Sequence, residues 1–359
     1  MKIELISVIG LLLCLAIIGL ENILFYRLAE RQDEHKSRID NIKRRLKIHV
    51  EGVLMAPTSG SRNAEIKALA GEIGGDYEVY EIAMASIKSN TDSRYSDDAE
   101  TLEKLIVEIN DQVHPAEIYA KMLEEGDVYR KSYACRKLAG LDAHEYRDEI
   151  RECVKSKERE LSYNAAMALC TMGDVHEVAD YLLRIQDDRF YSGRIIDEFF
   201  AKFTGDRQEL AELLMDKCNK YMKCTIIKSI APYRFDAFRP IYLKGAMGDD
   251  SQMKISCVKA LAAFGYPEDE QFLQIAAGDK DWVIRSSAIR GLSLLKSRSA
   301  LSTVKHALSD KEWWVRQAAA QAITKMDISP GDLEEILSGY DRFAADAVKN
   351  VLYRQIDTE

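Results

Sequence analysis

Apolar positions along the chain follow two patterns: one unbroken run near the start, then a long series of helical stripes. Leu5 to Leu20 (LISVIGLLLCLAIIGL) carries sixteen residues without a charge, and after Glu21 and Asn22 the apolar character resumes at Ile23, Leu24, Phe25 and Tyr26. At ~1.5 Å per residue the run covers roughly 24 Å, and the Phe25-Tyr26 pair extends it toward the ~30 Å of a bilayer core. The pattern predicts a transmembrane anchor over 1–28, with residues 5–28 in contact with the membrane. Over 29–54 the residues Ile39, Ile42, Leu46 and Val53 recur at helical spacing, with Gln32, His35 and His49 at the other seam positions. This predicts a charged helical stalk whose short, half-polar seam supports only weak self-association. Pro57-Thr58-Ser59-Gly60-Ser61 marks a linker at 55–63, and helices over 64–73, 77–89 and 97–111 form an N-terminal cap spanning 64–114.

From residue 115 to the end the stripes repeat. The pair Ala134/Leu138 recurs as Ala165/Leu169, Ile195/Phe199, Ile226/Ile230, Cys257/Leu261, Ala288/Leu292, Ala319/Ile323 and, more loosely, Ala347/Val351, with a dominant period of 31 residues. Four positions before the first member stand Leu161, Tyr191, Met222, Met253, Ile284 and Val315, with Arg130 the exception. Offsets of −4, 0 and +4 fall on one helical face and bury together. Three positions before it stand Lys131, Lys223, Lys254, Arg285 and Arg316. Seven before it stand Asp127, Glu158, Asp188, Asn219, Asp250, Asp281 and Glu312, where a carboxylate or amide suits the start of a helix. A unit of this length is a helix pair that hides its apolar face only by stacking on its neighbours.

The clearest copies, Asp279-Lys280-Asp281-Trp282-Val283-Ile284-Arg285-Ser286-Ser287-Ala288 and Asp310-Lys311-Glu312-Trp313-Trp314-Val315-Arg316-Gln317-Ala318-Ala319, resemble the second helix of HEAT repeats, with its D-x-x-x-V-R-x-x-A-x-x-A-L pattern. The short period is similar to that of compact bacterial HEAT-like units, including the phycobilisome-lyase type. The resemblance implies an all-α chain: an α-solenoid of about eight HEAT-like helix pairs over 115–359, preceded by the transmembrane helix and the stalk.

Charge then sets the topology. Before the apolar run stands only Lys2; after it come Arg27, Arg31, Lys36, Arg38, Lys43, Arg44, Arg45 and Lys47. The excess of cations on the C-terminal side places that side in the cytoplasm, as a single-pass protein of the cell membrane. No small-residue cleavage site follows the run, which argues against a removable signal. The seven cysteines are odd in number and form no CxxC pair, consistent with a reducing compartment. Nine Lys and Arg against seven Asp and Glu give residues 1–54 a charge of +2, leaving −11 for the rest of a chain whose net charge is −9. An acidic rod tethered to a membrane is a poor match for nucleic acid phosphates.

Candidate chemistry is sparse. His144-Glu145 and His176-Glu177 are 32 residues apart, but HEAT-like di-iron enzymes, the deoxyhypusine hydroxylases, carry four such pairs on second helices, whereas these two open first helices. No nucleophile arrangement, phosphate loop or zinc spacing stands out, so no cofactor and no enzymatic activity is expected. A HEAT-like enzyme or enzyme subunit, lyase- or glycosylase-like with a site on the concave surface, is the alternative reading. The surface feature that stands out is a basic row two positions after the repeat anchor: Arg136, Lys228, Lys259, Arg290 and, more loosely, Lys349. Two residues turn a helix by about 200°, away from the core, and such a row suits an acidic segment of a partner protein. Trp282 and Trp313 share a repeat position with Trp314 beside them, serving either packing or a binding hot spot. The sequence thus predicts a membrane-anchored cytoplasmic scaffold that binds a partner protein.

Overall fold

The structure, a computed structural model, describes the backbone of residues 2–56, 58–92, 99–188, 193–296, 298–326, 328–339 and 341–356. Within these, side chains are described from Phe25 onward, except at 26, 28, 90–92, 99 and 355–356. The described residues form twenty α-helices joined by turns and short 3-10 segments, in two compact units, Met1–Tyr146 and Arg147–Glu359.

The first unit holds α1 (Lys2–Met55), α2 (Ser59–Ile73), α3 (Tyr77–Asp92), α4 (Ala99–Val113), α5 (Pro115–Glu125) and α6 (Val128–Gly140). Helix α1 runs through the apolar stretch assigned to the membrane, whose side chains lie for the most part outside the described residues. Among the described residues no helix is long and apolar enough to cross a membrane. The seam of the predicted stalk is occupied within the chain. Ile42, Leu46, Val50 and Val53 are buried, and α1 packs on α2 and α3. Arg45 pairs with Glu72 of α2 at 2.5 Å and Arg38 with Glu78 of α3 at 2.9 Å. α2 and α3 thus cover much of the apolar stripe that the stalk seam presents, with Ile39 of that seam half-buried. The helix break is also shorter than the predicted linker: Thr58 caps α2 in a reciprocal capping box with Ser61.

The second unit holds seven helix pairs: α7 (Arg147–Val154) with α8 (Arg159–Thr171), α9 (Val175–Ile185) with α10 (Gly193–Lys202), α11 (Arg207–Lys217) with α12 (Lys220–Ile230), α13 (Arg239–Ala246) with α14 (Ser251–Phe264), α15 (Glu270–Ala276) with α16 (Trp282–Leu295), α17 (Leu301–Ala307) with α18 (Trp313–Lys325), and α19 (Pro330–Ser338) with α20 (Arg342–Ile356). Consecutive second helices pack side by side. The predicted anchors explain this. Ala165, Leu169, Ile226, Ile230, Cys257, Leu261, Ala288, Leu292, Ala319 and Ile323 are fully buried. Two copies slip by one residue: Ile196 and Val348 are buried where Ile195 and Ala347 are half-buried. Tyr191 lies outside the described residues.

The acidic column starts the second helices, and reach decides which members bond. Asn219, Asp250 and Asp281 accept hydrogen bonds from Met222, Met253 and Val283 backbone N–H groups at 2.9, 2.9 and 2.8 Å, and Asp127 does the same for α6 at 2.8 Å. Glu158 and Glu312 hold the same cap position without a side-chain bond, since the extra methylene of Glu carries the carboxylate past the first-turn donors.

Two members of the basic column tie their unit to the next. Arg285 of α16 is 7% exposed and clasps Asp310, just before α18, with Nε–Oδ2 at 2.7 Å and Nη2–Oδ1 at 2.8 Å. Its Nη1 donates to the Asp279 and Lys280 carbonyls at 3.0 Å each. Lys254 pairs with Asp279 in the same way one unit earlier. Burial works to raise the Asp310 carboxyl, but the bonds from Arg285 and from the Glu312 amide outweigh it and hold the group below its usual range.

Candidate partner-binding surface

The cation row sits on the side of the second helices turned away from the core. Lys228 of α12, Lys259 of α14 and Arg290 of α16 hold equivalent positions on three adjacent, packed helices, and all three are exposed. Five other cations of this unit meet acids 25 to 30 residues further along the chain: Lys220 with Asp250, Arg239 with Asp269, Lys254 with Asp279, Arg285 with Asp310 and Lys305 with Asp332. Among the described residues, no such ion pair involves Lys228, Lys259 or Arg290. The consequence is visible on the middle member. Partial desolvation, then the like charges of Lys228 and Arg290, push the Lys259 ammonium below the ordinary lysine range.

The row is bounded. On α10 its position is Asp197, which accepts a hydrogen bond from Ser229, and on α18 it is the exposed Gln321. Arg136 belongs to the first unit, where its guanidinium lies 5.8 Å from the Tyr133 ring centroid, and the other three belong to the second. Lys349 is exposed on α20, whose buried face is the one that slips.

The tryptophans lie at the start of the second helices and outside the core. Trp282, Trp313 and Trp314 are 39%, 51% and 53% exposed. Trp282 stacks with Trp314 at 6.4 Å and 22°, and Trp314 meets Trp313 edge-on at 4.6 Å. Phe343 of α20 continues the aromatic edge, 69% exposed with the Arg316 guanidinium 5.4 Å from its ring. Composition hides this edge, because Phe343 reads as one more apolar residue until the start of α20 is fixed by Asp341, which accepts from the Phe343 amide at 2.9 Å.

One member of each His-Glu pair has a local partner. His144 bonds Asp142 at 2.8 Å in a 3-10 turn, and Glu177, in the first turn of α9, lies 3.5 Å from Arg151. The six described cysteines are buried. Burial pushes the thiols of Cys170 and Cys257 up to about 12 and that of Cys218 to about 11, the opposite of what a nucleophile or metal ligand requires.

Residues 270–354 match the family model described as HEAT repeats. No curated protein matches the chain. Among solved structures, an engineered protein solved by crystallography is 15% identical, with 86% of this chain and 98% of that chain covered and a TM-score of 0.34. A chain from the structure of Kap95p with RanGDP is 9% identical, covering 86% of this chain and 50% of that chain at a TM-score of 0.36.

Proposed function

From the premise of a HEAT-repeat protein, an all-α solenoid of the kind that typically binds other proteins, we propose that this chain is a non-enzymatic adaptor. Residues 5–28 hold it at the cytoplasmic face of the cell membrane. Lys228, Lys259 and Arg290 receive an acidic segment of a partner protein, and Trp282, Trp313 and Trp314 supply a second, apolar contact. One observation carries the reading: three exposed cations hold equivalent positions on three adjacent, packed helices, and among the described residues none of them forms an ion pair. Adjacent like charges cost stability, and a partner carrying carboxylates turns that cost into affinity and association rate. Tethering raises the local concentration of whatever is bound without requiring any catalytic group.

The test uses the full-length chain solubilised in detergent. It is expected to retain a partner protein bearing an acidic segment, and the combined Lys228→Glu, Lys259→Glu, Arg290→Glu variant is expected to lose it while melting normally. Retention by the variant overturns the surface assignment. A reporter fused after Glu359 and active outside the cytoplasm would overturn the topology.

A further inference from the structure

The row has a repeat distance, and that distance selects the conformation of what binds there. Packed helices lie roughly 8–10 Å apart axis to axis, so equivalent side chains on α12, α14 and α16 recur at about that interval along the stack. An extended β segment presents same-face side chains every ~6.6–6.8 Å, or every ~13 Å when alternate ones are skipped, and neither fits. A polyproline II segment rises ~3.1 Å per residue with three residues per turn, so every third side chain returns to one face after ~9.3 Å. An α-helix offers a comparable interval only at seven-residue spacing, ~10.5 Å.

The surroundings favour the thinner, stiffer segment. Tyr221 on α12, 67% exposed, and Trp314 on α18, 53% exposed, each lie seven residues before the row position of their own helix, so their rings flank the row two turns away. On the other side Leu294, one turn after Arg290 on α16, is 59% exposed. Aromatic rings beside a polar strip are what Pro-rich, polyproline II ligands dock against, and such ligands lose little conformational entropy on binding.

Resting on the reading of Lys228, Lys259 and Arg290 as the partner surface, we propose that its occupant is an acidic polyproline II segment of a protein partner. Asp or Glu recurs at every third residue of that segment, one carboxylate for each helix pair. Each turn of the ligand places one carboxylate against one cation, and the intervening residues, proline among them, lie toward Tyr221, Trp314 and Leu294.

Fluorescence anisotropy with the full-length chain tests this, using labelled peptides as probes: a repeat of Glu-Pro-Pro, a block peptide of identical composition with its Glu residues contiguous, and an alanine-based helical peptide with Glu at every seventh position. The repeat peptide is expected to bind at least about tenfold more tightly than either of the others, with affinity falling as salt rises. Lys259→Glu is expected to weaken that binding by about tenfold or more, and Lys259→Gln by a smaller factor, with thermal melts checking that both fold. Equal affinity for the repeat and block peptides, or tighter binding of the helical one, overturns the polyproline II assignment and leaves the acidic-partner reading standing. Failure of every acidic peptide to bind overturns both. Equally tight binding of a single-stranded oligonucleotide of matched charge overturns the assignment to a protein partner.

Discussion

Two cations five positions from being equivalent in the repeat, Arg285 and Lys259, show how environment decides what a charge does. Arg285 sits 7% exposed between an acid of the next unit and two carbonyls of its own turn, so every N–H it directs inward is met. Replacing it leaves the half-buried Asp310 without its counterion, and Arg285→Met is expected to lower stability by ~1–3 kcal/mol, below the ~3–5 kcal/mol of a fully buried pair broken from one side. Lys259 faces two other cations and no acid, so its removal relieves repulsion. Lys259→Gln is expected to stabilise the fold by a few tenths of a kcal/mol, roughly the size of an exposed like-charge contact. Chemical denaturation of both variants checks the pair of signs. A destabilising Lys259→Gln would mean that the lysine stem contributes packing that outweighs its charge.

At the scale of helices, close approach rather than propensity governs the interfaces. A Cβ on Gly291 of α16 would stand 2.8 Å from both Cα and Cβ of Ala262 in α14 and 2.9 Å from Leu273, whereas one on Gly71 inside α2 would meet nothing within 4 Å. Gly71→Ala is expected to gain ~0.5–1 kcal/mol from helix propensity. Gly291→Ala makes the same backbone gain and loses ~1–3 kcal/mol to overpacking, so its melting temperature is expected to fall while that of Gly71→Ala rises. The repeat itself was legible in the sequence, because burial at 0 and +4 and a capping Asp or Asn at −7 are local demands that several second helices, α12, α14 and α16 among them, write into their own residues. The bonds from Lys254 to Asp279 and from Arg285 to Asp310 were half legible. The basic column stood out, but its acids lie in the following unit, beyond the reach of a single-helix pattern. The packing of the stalk within the chain was not legible for a related reason. Ile42, Leu46 and Val53 have the spacing of a helix seam, and spacing alone does not tell α2 and α3 of the same chain from a second copy. The cation row was visible at its repeat positions, yet its lack of acid partners is a property of the assembled surface.

For the molecule as a whole, the carboxylates between units set its response to acid. The bond from Lys305, then that from Ser329, holds Asp332 down to about 2. Asp279 and Asp310 also lie below the usual carboxylate value, with their cation and amide partners outweighing burial. Folded-state values depressed in this way contribute stability that is complete above the unfolded carboxylate range and is lost as pH falls through the lower folded values. Melting temperatures are therefore expected to stay level down to about pH 5 and to drop between roughly pH 4 and 2; a rise in that interval would contradict the assignment. The inter-unit bonds have a second consequence, for how the chain could change length. Each spans 25 residues forward, from Lys254 to Asp279 and from Arg285 to Asp310, and the sequence around it repeats every 31. Excising residues 280–310 removes Arg285 and Asp310 together, leaves Lys254 with Asp279, and joins Asp279 directly to Lys311-Glu312-Trp313. The shortened protein is expected to fold cooperatively with one cation fewer in its row, whereas a cut of half that length would strand a charge. Such a chain can gain or lose whole modules without breaking the bonds that hold the remainder, so the number of charges it offers a ligand is set by gene length as much as by point substitution.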